Sequence, residues 1–214
     1  MTMTLYTYFR SSASYRVRIA LNLKGLAYER VTVHLTRGGG EQLEPAFRAM
    51  NPNAVVPALK LDDGTVLTQS MAIIEYLDER HPSPPLLPKD PVQKALVRAA
   101  AQLIACDIHP INNLRVLQHL KGGLGHGQDD IVAWNKHWMR GGLNAFVQSI
   151  DRDSPFSFDA APTLADLCLV PQLYNAARWG LDLTGLERLV EIRDRCLALA
   201  PFKRASPEEQ PDAE

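Results

Sequence analysis

Cysteine is scarce, with three residues in 214, and the odd number formed by Cys106, Cys168 and Cys196 argues against a paired disulfide framework. Their apolar or helical surroundings predict buried, reduced thiols in a reducing compartment. Excess charge of either sign is also missing: 23 basic and 24 acidic side chains leave a formal charge of -1. That balance gives no electrostatic footprint for nucleic acid or for an anionic membrane surface, so any anion chemistry must come from local charge. Long apolar runs are absent too. The segment from Met1 to Tyr8 has no basic stretch leading into an apolar one, and no later segment approaches the length of a membrane span. The expectation is a soluble, cytoplasmic protein without repeats or low-complexity blocks. What is present is a 46% hydrophobic content, ample for one large domain or two small ones.

The first eighty residues mix strand and helix signals. Leu5 to Tyr8 is a short β-prone run, and from Ser14 to Lys24 the apolar Val17, Ala20 and Leu21 recur at helical spacing before Gly25 ends the pattern. Tyr28 to Val33 alternates and is β-branched, so it reads as a second strand, followed by a flexible loop at Gly38, Gly39 and Gly40. Pro57 to Leu61 and Thr65 to Leu67 flank the turn signal Asp63-Gly64, and Ser70 to Glu79 carries Ile73, Ile74 and Leu77 on one helical stripe. A βαβ unit followed by ββα describes a small mixed sheet with helices packed on it.

Composition then shifts. Pro82, Pro84, Pro85, Pro88 and Pro91 forbid helix and favour a stiff connection, which marks a boundary. Beyond it the signals are helical: Val92 to Leu120, Asp129 to Ile150, Leu164 to Arg178 and Leu186 to Leu199, with Thr163 and Asp166 spaced as a capping box. The expected organisation is an α/β domain over 1–81, a proline-rich linker over 82–91 and an all-α domain over 92–214. The polar tail from Ser206 to Glu214 is expected to fray or to drape on the surface.

Residues Tyr6 to Leu21, reading YTYFRSSASYRVRIAL, resemble the signature of the zeta class of the glutathione transferase superfamily, which contains maleylacetoacetate and maleylpyruvate isomerases. Further matches follow in the family's order: Asn51-Pro52 before Val55-Val56-Pro57, Gln69-Ser70 before AIIEYL, CDIHPINNLRVL from Cys106, and PTLADLCLVPQ from Pro162. The resemblance spans essentially the whole chain. It implies a thioredoxin-like βαβββα-type domain that binds glutathione, an all-α domain that binds substrate, and a homodimer.

Ser11 and Ser12 fall between the first strand and the first helix, where unsatisfied backbone N–H groups and the helix dipole favour an anion. Serines there also serve as plain caps. The resemblance gives Ser11 the further task of donating to the glutathione sulfur, which would lower the thiol pKa. It also implies a cis-proline at Pro57, backbone binding of the tripeptide by Val56, and capture of its γ-glutamyl carboxylate by Gln69 and Ser70 at a helix start. Gln42 after the glycine loop is a further expected contact.

A maleyl substrate carries two carboxylates about a cis double bond, so cationic clamps are required, and arginine is the appropriate side chain. Arg10 beside the thiol site, Arg115 after HPINN and Arg178 after PQLYNAA are the expected clamps, converging on an interdomain cleft. Pro110 is expected to kink its helix and turn His109, Asn112 and Asn113 towards that cleft, with His109 and Asn113 as glutathione contacts by resemblance. Cys106 and His109 have metal-ligand spacing, but no second pair completes a tetrahedral set, so no metal is expected.

One departure stands out: the zeta signature commonly has cysteine where this chain has Ala13, which removes an auxiliary thiol and leaves Ser11 and Ser12 intact. Two other functions share parts of this pattern. A conjugating or dehalogenating glutathione transferase would also use Ser11, whereas a non-catalytic interaction module would have no need of the thiol-site residues.

Overall fold

The computed structural model describes residues 3–214; residues 1 and 2, which open the expected first domain and the segment read for a targeting signal, lie outside them. Two compact units emerge, Met1–Pro85 together with Ala198–Glu214, and Leu86–Leu197. The segment after residue 197, expected to belong to the helical domain, is thus part of the first unit. Its apolar residues explain why: Phe202 and Ala205 are fully buried there.

In the first unit β1 (Met3–Thr7) leads to α1 (Ser12–Leu23), β2 (Tyr28–Thr32), α2 (Pro45–Met50), β3 (Ala58–Lys60), β4 (Val66–Thr68) and α3 (Ser70–Arg80). The sheet order is β2-β1-β3-β4, with β1 parallel to β2 and antiparallel to β3, and β3 antiparallel to β4. The parallel βαβ connection and the β3–β4 hairpin are the arrangements such a pattern permits. Gly64 makes the hairpin turn at φ +89°, where a side chain would be strained, while the Asp63 carboxylate accepts from the Thr65 amide at 2.8 Å. The short α2 carried no strong sequence signal, and the glycine loop is tighter than expected, forming single 3-10 turns at Arg37–Gly39 and Glu41–Leu43.

Helix α1 is buried almost all round, from Ser14 to Leu21. It contacts α3 and also α9 (Ala200–Ala205), the helix contributed by the end of the chain. A helix covered on two sides must bury residues from its polar as well as its apolar face, which places Arg16 and Arg18 in the interior. A second apolar cluster, made by Tyr8, Phe9, Val33, Phe47 and Val56, forms beside β1.

The second unit contains α4 (Pro91–Gln102), α5 (Leu114–Gln118), α6 (Gln128–Ser149), α7 (Leu164–Arg178) and α8 (Glu187–Leu197). The expected continuous helix from Val92 to Leu120 is interrupted. It widens into a π-turn at Leu103–Ile108, ends with the His109 amide donating to Ile104 O at 2.9 Å, and restarts at Leu114. Pro110 has no N–H with which to continue the ladder, so the chain breaks there instead of kinking. Cys106 lies on this turn and is exposed, contrary to the buried thiol expected; Cys168 and Cys196 are buried, and burial pushes the Cys196 thiol pKa far up.

The capping box at the start of α7 is formed. Asp166, fully buried, accepts from the Thr163 amide at 2.7 Å, the Thr163 hydroxyl at 2.9 Å and the Ser157 amide at 2.9 Å. Burial raises its pKa against the lowering effect of those donors. Among the described residues no helix is long and apolar enough to cross a membrane.

Candidate active site

The turn from Tyr8 to Ser11 joins β1 to α1. Ser11 is the N-cap of α1 at φ -68° and ψ 114°, outside the helical region, and its amide donates to Tyr8 O at 3.0 Å. Its hydroxyl oxygen accepts from the Ser14 amide at 3.2 Å. This bond uses a lone pair and leaves the hydroxyl proton available to an external acceptor. The amides of Ser12 and Ala13, in the first turn of α1, have no preceding carbonyl in the helix to bond, so they add positive potential at the same place. Ser12 itself is buried.

Arg10 is pinned beside this cap. Its guanidinium lies 4.9 Å from the Phe9 ring centroid, and its Nη2 donates to the Tyr8 hydroxyl at 2.9 Å. Tyr8 and Phe9 in turn meet edge to face at 4.8 Å, and Tyr8 meets the His34 ring at 4.9 Å. The aromatic cluster is therefore a platform from which the cation is held out without wide rotamer freedom.

The other residues expected in this unit have defined local settings. Val56 belongs to the apolar cluster, and the Val56-Pro57 peptide is cis as expected. Gln42 is buried, its Nε2 donating to Leu35 O at 3.3 Å while its Oε1 has no hydrogen-bond partner. Gly40, at φ +114°, makes room for it: a Cβ there would approach Gln42 Nε2 to 2.5 Å. Gln69 precedes α3 at φ +69°, a strained conformation for a residue with a side chain and one concentrated at functional sites. Ser70 begins α3, buried, and accepts from Arg16 Nη1 at 3.3 Å. Arg16 thereby links the starts of α1 and α3.

In the helical unit the expected residues have plainer local roles. Asn113 caps α5, its side-chain oxygen accepting from the Arg115 amide at 3.2 Å, and His109 ends the π-turn. Arg115 and Arg178 have exposed side chains on α5 and at the end of α7. Arg178 Nη1 reaches Asn175 Oδ1 at 3.4 Å. Among the described residues no cluster of three or more His, Cys, Asp or Glu side chains could hold a metal ion.

Sequence reasoning did not single out Arg18. Fully buried, it donates from Nη2 to Phe9 O at 2.9 Å, from Nη1 to Thr7 Oγ1 at 3.1 Å and Tyr8 O at 3.3 Å, and from Nε to Ala205 O at 2.9 Å. Burial lowers its pKa to about 10, still far enough above neutrality to keep the charge. Its only signal in the sequence is that two arginines interrupt the otherwise apolar run YRVRIAL.

Residues 10–80 match the family model described as the glutathione S-transferase N-terminal domain. The chain is 49% identical to the maleylacetoacetate isomerase of Pseudomonas aeruginosa over 98% of each. It is similar to a solved holo structure of maleyl pyruvate isomerase, a bacterial zeta-class glutathione S-transferase, with a TM-score of 0.95 and 44% identity over 99% of this chain and 100% of that one. A maleylacetoacetate isomerase from Anaeromyxobacter dehalogenans 2CP-1, solved with dicarboxyethyl glutathione and citrate in its active site, aligns with a TM-score of 0.87 at 43% identity over 100% of this chain and 98% of that one. A match of this extent, on a four-stranded sheet with a capped helix at the expected serines, shows that the chain belongs to the zeta class of the glutathione transferases, among the maleylacetoacetate and maleylpyruvate isomerases.

Proposed function

We propose that this protein is a glutathione-dependent isomerase that converts a maleyl dicarboxylate, maleylacetoacetate or maleylpyruvate, into its fumaryl isomer. The observation that carries this reading is the Ser11 hydroxyl, which caps α1 through a lone pair at 3.2 Å and retains its proton for a thiolate. Two further features fit the tripeptide. The buried, unpartnered Oε1 of Gln42 suits an amide donor, and the strained Gln69 before α3 suits a carboxylate received at a helix start.

Bound glutathione supplies a thiolate that adds reversibly to the cis double bond, so that the bond can rotate before the thiolate leaves. Ser11 donates to the sulfur and, with the first-turn amides at Ser12 and Ala13, stabilises its negative charge. Val56 and Pro57 hold the cysteinyl backbone, Gln69 and Ser70 the γ-glutamyl end, and Gln42 the tripeptide flank, with His109 and Asn113 as further contacts. Arg10, already oriented by Phe9 and Tyr8, binds a substrate carboxylate, and Arg115 and Arg178 are the further arginines proposed to bind substrate. Positive charge fixed in advance also stabilises the charge that grows on the acyl oxygen during attack, without reorganisation at that moment. The dicarboxyethyl adduct in the Anaeromyxobacter relative supports a site of this kind, with a sulfur and two carboxylates held together. The same reading has the enzyme acting in the cytoplasm as a homodimer, which sedimentation analysis tests.

The arginines distinguish isomerisation from simple conjugation. Arg115→Ala and Arg178→Ala should each lower kcat/KM for the maleyl acid by about tenfold or more, the effect of one lost charge-assisted contact, while sparing glutathione conjugation to an uncharged electrophile. Isomerase turnover unchanged in both variants would refute the carboxylate clamp.

A further inference from the structure

The turn carrying Ser11 is held by the far end of the chain. The Phe9 amide, in a residue only 4% exposed, donates to the Asp212 carboxylate at 3.0 Å across 203 positions of sequence. The carbonyls on either side of that amide, of Tyr8 and Phe9, accept from Arg18, whose charge Asp212 favours. The Tyr8–Phe9 peptide is thus gripped from both sides by groups of opposite charge. Ser11 N–H bonds back to Tyr8 O, so the position of the cap follows from that grip.

Two residues further on, Glu214 Oε1 meets His34 Nε2 at 3.2 Å and Arg37 Nη2 at 2.9 Å. His34 Nδ1 accepts from the amides of Arg37 at 2.8 Å and Thr36 at 3.2 Å, so its ring proton resides on Nε2 and is donated to Glu214. The loop is closed further by the His34 backbone amide on Glu41 Oε2 at 2.6 Å and by Gln42 Nε2 on Leu35 O. The start of the tail is itself fixed, because Gln210, 5% exposed, donates to Arg204 O and Ser206 O and accepts from Arg30. A surface tail with no task would not combine a buried amide, two carboxylates and anchors on two separate loops.

We propose that residues 210–214 form a brace that sets the glutathione site, with Asp212 the positioning residue for the Arg10–Ser11 turn and Glu214 the positioning residue for the loop that carries Gln42. This rests on the assignment of Ser11 and Gln42 to glutathione. Both loops approach the tripeptide in that assignment, and the tail binds each of them through a carboxylate, Asp212 on Phe9 and Glu214 on His34 and Arg37. A hydroxyl that must meet a sulfur within a few tenths of an ångström needs such second-tier support, because a loose turn spreads its position.

The experiment uses the full chain with Asp212→Ala, Asp212→Asn, Glu214→Ala and Ser11→Ala, measuring glutathione Kd by calorimetry, KM for glutathione and for the maleyl acid separately, and the melting temperature. Asp212→Ala should weaken glutathione binding by about tenfold, in line with loss of one charge-assisted hydrogen bond, and, because Arg10 shares that turn, should raise KM for the maleyl acid as well. Asp212→Asn, whose Oδ1 still accepts from Phe9, should recover most of that loss. Glu214→Ala, at an exposed side chain where folding is not in question, should weaken binding by about threefold. Wild-type glutathione affinity in both Asp212→Ala and Glu214→Ala, with Ser11→Ala impaired, would overturn the brace, including the case in which only the melting temperature falls. Should Asp212→Ala not fold, an unchanged Kd in Glu214→Ala overturns it alone. If Ser11→Ala is also unimpaired, the thiol-site assignment fails and the brace with it.

Discussion

Replacing Arg18 by methionine tests whether the interior of the first unit depends on a buried cation. Arg18 is fully buried and makes four hydrogen bonds, to Ala205 O, Thr7 Oγ1, Tyr8 O and Phe9 O, at 2.9 to 3.3 Å. Methionine fills a similar volume and removes the cost of a desolvated charge, but it leaves three carbonyl oxygens with fewer donors. Each under-satisfied buried acceptor costs about 1–3 kcal/mol, and the Ser11 amide still serves Tyr8 O, so a net loss of about 3 kcal/mol is expected after the desolvation gain. For a chain of this size that corresponds to a fall in melting temperature of roughly 6–12 °C. Far-UV circular dichroism during urea or thermal unfolding reports it. Tryptophan emission gives a second channel, since Trp134, Trp138 and Trp179 all lie in the helical unit, and it should respond less if the units unfold separately. The pH dependence has a definite sign. The folded value of about 10 lies below the ordinary arginine value, so the unfolded chain binds more protons only between the two, and stability from this group rises with pH in that window alone. Arg18 should contribute no slope between about pH 5 and 9. A loss below about 1 kcal/mol in Arg18→Met would refute the reasoning, because it would mean that the carbonyls find other donors at no cost.

Three other outcomes follow from local geometry. Ser11→Ala should reduce kcat/KM for isomerisation by about 100-fold or more, as removal of an oxyanion-type donor does, and should raise the pKa of bound glutathione as followed by thiolate absorbance. Neighbouring glycines in α6 should respond oppositely: Gly141→Ala enters open space and gains about 0.5–1 kcal/mol of helix propensity, whereas a Cβ at Gly142 would lie 2.3 Å from Ile108, itself buried, so Gly142→Ala should lose about 1–3 kcal/mol. Denaturant melts of the two variants give the comparison. Asp166→Ala strands the amides of Ser157 and Thr163 and should cost about 3 kcal/mol in the same assay.

The strands, the hairpin and most of the helices were legible because each rests on short-range rules: β-branched residues in β2, which is exposed on both faces, Asp63-Gly64 in the turn, and Thr163 with Asp166 at the start of α7. The boundary of the units was not, because the return of 198–214 to the first unit depends on Phe202 and Ala205 finding the outer side of α1, a long-range event with no periodic signature. Arg16 and Arg18 are hidden for the same reason. An arginine on an amphipathic helix reads as solvated until another helix covers its face. At the candidate site, Ser11, Ser12 and Ser70 were visible from their positions at helix starts, and the whole-chain resemblance supplied chemistry that spacing alone leaves open. Cys106 and the Pro110 break show the limit of local reading, since the π-turn packs its Ile108 beside Gly142 of α6, a contact that no local pattern announces.

Glutathione should be returned unchanged at every turnover. Each of maleylacetoacetate and maleylpyruvate, supplied in large excess over glutathione, should be followed to its fumaryl isomer while free thiol is assayed in the same sample. The expected result is complete conversion of at least one acid with the thiol concentration constant. Conversion that stops after one equivalent of glutathione, or that consumes thiol in step with product, would contradict it.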